Sequence, residues 1–418
     1  MNKLIVRPLK KSDISTVIVI DALDECRDEE PTSAILTVLG QLVSEIPKVK
    51  FFVTGRPDPR ILEGFRLLLL AKTAEVFPLH GVEQWEVDSD IRLFLRRSFS
   101  ELARRRHELD NWPTNEQLDL LCKRAAGLFV HAAATVKFID HKNETPKNQL
   151  ALLLQLPENH AYEGMTRFKS NTTLDSLYLL ILQEAFGDDN SEYDPKVRSI
   201  LGAVALSASP LSPCAIATLL DFDIDGVRLR LSSIHSLLIL EDVNSPVWPF
   251  HRSFPEFVVD PTRCINKRFC VSHPSHNSEL LVGCLKLMNR TLEKNMCGLP
   301  NAITNSEVDD LHERTERYIS PALRYACKSW HKHFVDEHTT HTPAIRSDLH
   351  LFLEKKFLFW LEVLSVLGAV REAVDALEMA AKRLEVCRVS VLHVLPKFTQ
   401  TGYRRLRLLT SSTTASVS

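Results

Sequence analysis

The hydrophobic pattern at the start of the chain predicts strand, helix, strand. Residues 15–20 form a continuous β-branched run, which is typical of a parallel strand buried on both faces. Apolar residues then recur at helical spacing over 35–46, and Pro47 ends that helix. A second apolar run covers 49–53, and a further short strand is expected at 75–79. These elements predict a small α/β segment.

Helical periodicity dominates the remainder of the chain. The run Asp88 to Asp90 is predicted to cap one helix, and Thr114 with Gln117 forms a capping box before the next. Three helices and two strands, at 237–241 and 247–250, are predicted within 196–260. This order is typical of a winged helix, and helices follow it to about residue 385.

Composition narrows the class of protein. Hydrophobic residues make up 44% of the chain, and the 51 Lys and Arg residues balance 53 Asp and Glu residues, which argues against global disorder and a strongly basic nucleic-acid-binding surface. No apolar run approaches the ~18 residues that a membrane-spanning helix needs. The basic start, 1–11, has no apolar run after it, so we expect no signal peptide. Nine cysteines without a CxxC pair suit reduced thiols in a cytoplasmic chain.

Carboxylates follow the first predicted strand directly. Asp21, Asp24 and Glu25 stand at what would be the carboxyl edge of a parallel sheet, where α/β folds bind ligands. Asp21 can hold Mg²⁺, because hard cations prefer oxygen ligands. Asp24 or Glu25 can orient or deprotonate an attacking water. The alternative is a solvated acidic loop, although the full string of strand and acids favours the functional interpretation.

Glycine usage bears on phosphate binding. Only 13 of the 418 residues are glycine, none is followed by lysine, and no G-x-G pair occurs. These 418 residues therefore contain neither the G-x-x-x-x-G-K-[ST] phosphate loop nor a dinucleotide fingerprint.

Several segments resemble one protein family. Val17 to Cys26 is similar to the Walker B segment of NACHT-type signal-transduction ATPases, the NLR-like proteins of fungi, and Phe51 to Pro57 is similar to their sensor 1 strand. Ala126 to Ala132 resembles a helix of their lid domain, and Pro249 to Phe257 resembles a string in their winged-helix domain. The first two motifs are the most specific.

The resemblance extends over about residues 12–385 and includes Tyr325 to Trp330, which is similar to the family's helical linker. It implies a mostly α fold with a partial, P-loop NTPase-like α/β remnant at the N-terminus, followed by winged-helix and helical domains. The expected parts are a partial nucleotide-binding core at 1–85, a helical lid at 86–165, a winged-helix-like domain at 166–265, a helical extension at 266–385 and a disordered tail at 386–418.

The chain departs from the family at its front. Relatives carry a strand and a phosphate loop tens of residues before the Walker B strand, whereas about fourteen residues precede it here. We therefore expect a truncated member, without the P-loop and without C-terminal repeats. It would bind ATP weakly or not at all and be inactive as an NTPase as given.

The resemblance also implies a function and roles for particular residues. Intact relatives are nucleotide-dependent molecular switches, in which ATP binding opens the domains for oligomeric signalling and hydrolysis resets them. The implied cofactors are ATP or ADP with Mg²⁺, and the implied partners are other protein chains, including copies of the same chain. Asp24 and Glu25 would be catalytic, Asp21 would hold Mg²⁺, Arg56 would sense the γ-phosphate and His251 would read the ADP β-phosphate.

Other interpretations remain open. Arg56 can be an exposed turn residue, and His251 can be a packed histidine at a strand end. The chain as a whole can be a non-catalytic helical protein-interaction scaffold. A DNA-binding winged-helix regulator is a further alternative, but 196–260 holds five Lys or Arg against seven Asp or Glu, which opposes phosphate contact. We therefore expect no nucleic-acid partner and no membrane partner.

Two histidine-containing groups have metal-ligand residue types. Cys264, Cys270, His273 and His276 match no zinc spacing. His331, His333, His338 and His341 are expected on a solvated helix end and loop.

Overall fold

The chain folds into two compact units, Met1–Glu83 and Gln84–Ser418, in a computed structural model. The structure describes residues 15–25, 29–46, 48–56, 59–67, 70, 73–106, 112–141, 144–155, 166–187, 194–300, 305–334 and 343–384. These residues form seventeen α-helices and four short strands, which confirms the mostly helical prediction. The predicted disordered tail at 386–418 lies outside the described residues, and the domain boundaries proposed from the sequence stay predictions.

The first unit is built on a pair of parallel strands. Its elements are β1 (Thr16–Ile20), α1 (Glu29–Glu45), β2 (Val49–Val53) and α2 (Pro59–Leu67). The strands pair in register, from Thr16 opposite Val49 to Ile20 opposite Val53. Buried leucines on α1 pack with Ile20 and Val53 on one face of this pair.

The other face of the strand pair is open among the described residues. Val17 and Val19 are each 62% exposed, and Phe52 is 59% exposed. The prediction that β1 is buried on both faces is therefore wrong. The helices of this unit cover the side that carries Ile18 and Ile20. The apolar sequence of β1 predicted helices on both sides of the strand, but it cannot show whether a second side is covered.

The third strand predicted for this segment, at 75–79, is also absent from the described structure. These residues pair with neither β1 nor β2, and a 3₁₀ turn follows at Leu79–Gly81. Val76 and Phe77 are largely exposed. An apolar run becomes a strand only where a neighbouring edge offers hydrogen bonds, which the sequence pattern does not report.

The second unit is helical. Its helices are α3 (Gln84–Arg106), α4 (Asn115–Ala125), α5 (Phe129–Ile139), α6 (Pro146–Gln155), α7 (Thr166–Phe186), α8 (Pro195–Leu206), α9 (Pro213–Leu220), α10 (Ile224–Ser233), α11 (Ser253–Val259), α12 (His273–Thr291), α13 (Leu311–Tyr318), α14 (Pro321–Ser329), α15 (Pro343–Leu351), α16 (Phe357–Val366) and α17 (Arg371–Leu384). Short 3₁₀ segments occur at Asn305–Glu307 and Trp330–His333, and a π-helical turn occurs at Phe352–Lys356.

An antiparallel hairpin interrupts these helices. Strands β3 (Leu238–Ile239) and β4 (Trp248–Pro249) follow α8, α9 and α10. The order of three helices and two strands matches the sequence prediction, although both strands are shorter than expected. Assignment of this segment as a winged helix stays a prediction.

The helix starts show one failed and one confirmed prediction. Helix α3 begins at Gln84, so the cap predicted at 88–90 is wrong: Asp88 lies inside the helix and accepts a hydrogen bond from Gln84 Nε2 at 2.8 Å. The apolar face begins one turn earlier than expected, at Val87, which packs against the core four residues before Ile91. The capping box is confirmed, because Thr114 Oγ1 accepts from the Gln117 N–H at 3.3 Å and Gln117 Oε1 accepts from the Thr114 N–H at 2.9 Å.

Helix α12 lies in the continuous core of the second unit and packs against α8, α9, α14 and α15. Leu281 and Cys284 have no exposed surface. Gly283 permits a very close approach to α9, since a Cβ there would lie 2.2 Å from the carbonyl oxygen of Leu219. Only glycine fits at such a crossing.

Two of the histidines expected in solvent are buried instead. His331 and His333 are 2% and 1% exposed. His333 Nδ1 lies 2.8 Å from the acceptor oxygen Oδ1 of Asn277, so the ring proton is on Nδ1, and Nε2 accepts from the Tyr325 hydroxyl at 2.8 Å. The turn folds back under α14, which is why the prediction of a solvated helix end is wrong. His338 and His341 lie outside the described residues.

The seven cysteines within the described residues are free thiols, and five of them are buried. Burial raises the pKa of Cys264 to about 12. The described residues hold no cluster of three or more metal-ligating side chains, and none of the described helices is long and apolar enough to cross a membrane.

Candidate functional site at the strand ends

The carboxyl ends of β1 and β2 bring the predicted acidic and basic residues together. The Thr54 N–H donates to the Ile20 carbonyl oxygen, and the Leu23 N–H donates to the Thr54 carbonyl oxygen, both at 2.9 Å. These bonds extend the pairing beyond the strands. They hold the segment after β1 beside Thr54, Gly55 and Arg56.

Thr54 fixes the position of Asp21. Its hydroxyl donates to Asp21 Oδ1 and accepts a hydrogen bond from the Ala22 N–H at 2.9 Å. Ala22 has φ of 54°, in the left-handed region that non-glycine residues seldom adopt. The sequence contained Thr54 within the strand motif, but its role depends on the register of two strands and could not be inferred.

Asp24 is paired with Arg56. Asp24 Oδ1 accepts the Arg56 N–H at 3.0 Å, and Arg56 Nε lies 3.6 Å from Asp24 Oδ2. The side chain of Asp24 is 7% exposed, whereas that of Arg56 is 48% exposed. The buried carboxylate therefore anchors a guanidinium that remains accessible. The side chain of Glu25 lies outside the described residues.

The donor set at this edge suits a divalent cation better than a whole triphosphate. Asp21 is exposed and offers carboxylate oxygen, the ligand type that Mg²⁺ prefers, with the remaining positions left to water. A triphosphate needs several backbone N–H groups and a lysine around its phosphates. Among the described residues 15–56, Arg56 is the cation found beside the carboxylates.

The remaining predicted site residue, His251, belongs to the second unit and follows β4. Its Nδ1 accepts the Ser253 N–H at 3.1 Å and lies 2.6 Å from Ser253 Oγ. Ser253 Oγ in turn lies 2.7 Å from the Tyr178 hydroxyl. Because Nδ1 is an acceptor, the proton of the neutral ring is on Nε2.

Helix α7 holds this segment in place. Burial raises the pKa of Tyr178 to about 12, so its hydroxyl stays protonated. One turn earlier, Asp175 binds Arg263 through contacts of 2.7 Å to Nη2 and 3.1 Å to Nε. Burial raises the pKa of Asp175, against the opposing effect of Arg263. His251 is thus positioned by a hydrogen-bonded chain, which the sequence motif did not indicate.

Comparisons with known proteins support the general resemblance to NACHT-like proteins and leave its details untested. Residues 1–56 match the family model described as Nephrocystin 3, N-terminal. The chain is 23% identical over 389 residues to vegetative incompatibility protein HET-E-1 of Podospora anserina. No solved structure matches the chain significantly.

The match to HET-E-1 covers 87% of this chain and 26% of that protein. The chain therefore spans about a quarter of the length of the curated relative it matches. Both findings support a distant relationship to NACHT-like signalling proteins of fungi.

Proposed function

We propose that this chain is part of an NLR-like signalling switch, with a site for Mg²⁺ and a nucleotide at the carboxyl ends of β1 and β2. The supporting observation is that Asp24 pairs with Arg56 there, although 32 residues separate them, and that Thr54 holds Asp21 at the same edge. Carboxylate and guanidinium groups supply the two kinds of charge that Mg²⁺ and a terminal phosphate need.

Each side chain at this edge has a proposed role. Asp21, held by Thr54, would bind Mg²⁺, which when bound neutralises phosphate charge. Asp24 orients Arg56 through the contacts described above, and the half-exposed guanidinium faces a phosphate. Glu25 orients or deprotonates the attacking water.

His251 is the proposed nucleotide-reading residue of the second unit. The chain from Tyr178 through Ser253 keeps the imidazole proton on Nε2, and an N–H donor is what a phosphate oxygen requires.

Residues 1–418 by themselves are proposed to bind Mg-ATP weakly. Their sequence holds no glycine followed by lysine, so the lysine and loop N–H groups of a phosphate loop are not supplied by it.

Calorimetric titration with ATP, in Mg²⁺ and in EDTA, tests the site. We expect weak, Mg²⁺-dependent binding that Asp21→Ala removes and that Glu25→Gln leaves largely intact, because only Asp21 is assigned to the metal. Glu63→Ala, at an exposed position on α2, is the matched control and should bind like the unaltered chain.

Three outcomes would contradict parts of this proposal. Equal loss of ATP affinity in Asp21→Ala and Glu25→Gln would argue against separate roles. A Kd in the low micromolar range would show that the chain forms a phosphate cradle after all. No Mg²⁺-dependent heat at millimolar ATP would remove the nucleotide site and favour a non-catalytic interaction scaffold.

A further inference from the structure

A cavity of about 260 Å³ lies in the second unit, away from the residues discussed so far. It opens to the surface and is bordered by the loop that precedes α9, the turn of the β3–β4 hairpin and one face of α14. The polar residues that line it are Ser209, Ser212, Asn244, Arg324, Tyr325, Lys328 and Ser329. Pro210, Pro246 and Pro321 also line it, and their fixed φ angles make this a preformed wall.

Two buried hydroxyl groups in this cavity have unused hydrogen-bonding capacity. Ser212 is 4% exposed and accepts the Ala215 N–H at 3.2 Å, but its own hydroxyl proton has no acceptor within the described chain. Ser329 is 5% exposed, does not cap the 3₁₀ turn that follows it, and has no hydrogen-bond partner among the described residues. Both residues line the cavity, and neither hydroxyl oxygen is a fully enclosed atom without a partner, so both hydroxyls remain available to donate to a polar occupant.

The cavity also contains a cation whose charge is not neutralised by the described residues. Lys328 is partly buried and has no acidic partner among them. Arg324, one turn earlier on α14, differs: it donates to Glu316 and to the carbonyl oxygens of Ile319 at 3.0 Å and Thr315 at 3.2 Å. The positive charge available to a ligand is therefore that of Lys328.

The carboxylate of Asp242, on the hairpin turn, already accepts hydrogen bonds within that turn. Asp242 Oδ1 accepts the N–H groups of Asn244 at 2.6 Å and Ser245 at 2.8 Å, and Oδ2 accepts the Ser245 hydroxyl at 2.8 Å. These bonds hold the Asp242 oxygens within the turn. The residue Asn244 itself lines the cavity and brings a side-chain amide to its wall.

The available donors select the chemistry of the occupant. Backbone N–H groups at the start of α9 are committed, because Cys214 donates to the Val243 carbonyl oxygen at 3.1 Å and Ala215 donates to Ser212. One ammonium group, two hydroxyls and an amide match a singly charged carboxylate, whereas a dianionic phosphate would need more positive charge. We infer that this cavity binds a carboxylate group, which Lys328 pairs and the hydroxyls of Ser212 and Ser329 orient.

The carboxylate can come from a free small acid or from an acidic side chain of a polypeptide. Saturation-transfer NMR titrations of the full chain with acetate and with the blocked tripeptide acetyl-Ala-Glu-Ala-amide separate these sources. The Gln analogue of the tripeptide and inorganic phosphate are the matched probes. Saturable binding of acetate alone identifies a small-acid site, and tighter binding of the Glu tripeptide identifies a polypeptide source; either result supports the inference.

Substitutions at two lysines distinguish a specific ion pair between Lys328 and the carboxylate from a general effect of positive charge. We expect Lys328→Met to weaken carboxylate binding about tenfold, as the loss of one charged hydrogen bond does. Lys328→Arg should retain binding, and Lys332→Met, at an exposed lysine one turn further along, should leave it unchanged. Circular dichroism checks that each variant is folded.

Four results would overturn the inference. The first is the absence of saturable binding by either carboxylate probe. The second is equal affinity for the Glu and Gln tripeptides. The third is tighter binding of inorganic phosphate than of acetate. The fourth is an equal response of the Lys328→Met and Lys332→Met variants.

Discussion

The two units of this chain differ in how completely they cover their apolar surfaces. In the first, alternate residues of β1 are open, with Val17 and Val19 each 62% exposed. In the second, Leu281 and Cys284 on α12 have no exposed surface, since helices pack around α12 on several sides. The sequence of a segment shows how much apolar surface it carries, and the segments packed against it decide how much of that surface is buried.

The largest expected effect of this difference is on solubility. We expect a fragment of residues 86–385 to be soluble and to unfold cooperatively, whereas a fragment of residues 1–85 aggregates through its open sheet face and strand edges. Phe52→Lys in the shorter fragment should reduce aggregation, because it places a charge on the exposed face beside Lys50. Analytical ultracentrifugation measures both results.

Limited proteolysis of the full chain can contradict the expectation that the first unit is the less stable of the two. A resistant core that begins near Ser15 would show that the strand pair is stable without a second covering layer. Cleavage within 386–418 before any other site is expected, because that tail lacks an amphipathic pattern.

The next effect concerns the aromatic core of the second unit. Trp360 is fully buried, contacts the rings of Trp330 and Phe352, and donates through Nε1 to the Cys327 carbonyl oxygen at 2.8 Å. Trp360→Ala should lower the free energy of unfolding of this unit by about 3–5 kcal/mol. Urea denaturation followed by far-UV circular dichroism measures this change.

Trp85 provides the control for that substitution. It lies in the same unit, on the first turn of α3, and is 68% exposed. Trp85→Ala should change the free energy of unfolding by at most about 0.5 kcal/mol. Similar losses in the two variants would contradict the contrast between a closed core and an open surface.

Acid should also affect the second unit, through its buried histidines. Burial lowers the pKa of His131, His331 and His333 from 6.5 to about 4. Between these values the unfolded chain binds protons that the folded chain does not, so stability falls as the pH drops from 6.5 towards 4. Each histidine can remove up to about 3 kcal/mol.

Urea midpoints measured across this pH range check the direction. His131→Gln should make the decline shallower, because one buried titrating group is gone. His350→Gln, at an exposed position on α15, should leave the slope unchanged. A stability that rises on acidification would contradict the burial of neutral histidines.

The sequence predicted the parts of the fold that depend on local pattern. Helical periodicity identified the second unit, and Thr114 with Gln117 identified a helix start because a capping box is a property of four consecutive residues. The strand at 75–79 and the solvated position of His331 were wrong, since pairing and burial depend on distant segments.

In the candidate site, too, the sequence predicted what depends on local pattern and missed what depends on distant segments. Acids after an apolar strand indicated the sheet edge, because strand direction places them there. The hydrogen bonds of Thr54 to Asp21 and of Tyr178 to Ser253 were not predictable, since each joins positions more than thirty residues apart. Local motifs predict which residues stand at a site, and tertiary packing decides which atoms they contact.

The close crossing at Gly283 has a mechanical consequence. Helices α9 and α12 touch there through backbone atoms, with no side chain between them to deform or change rotamer. A shift of one helix against the other at this point meets backbone atoms rather than a side chain that could change rotamer, so we expect the pair to move together. Any hinge within the second unit therefore lies outside this helix pair.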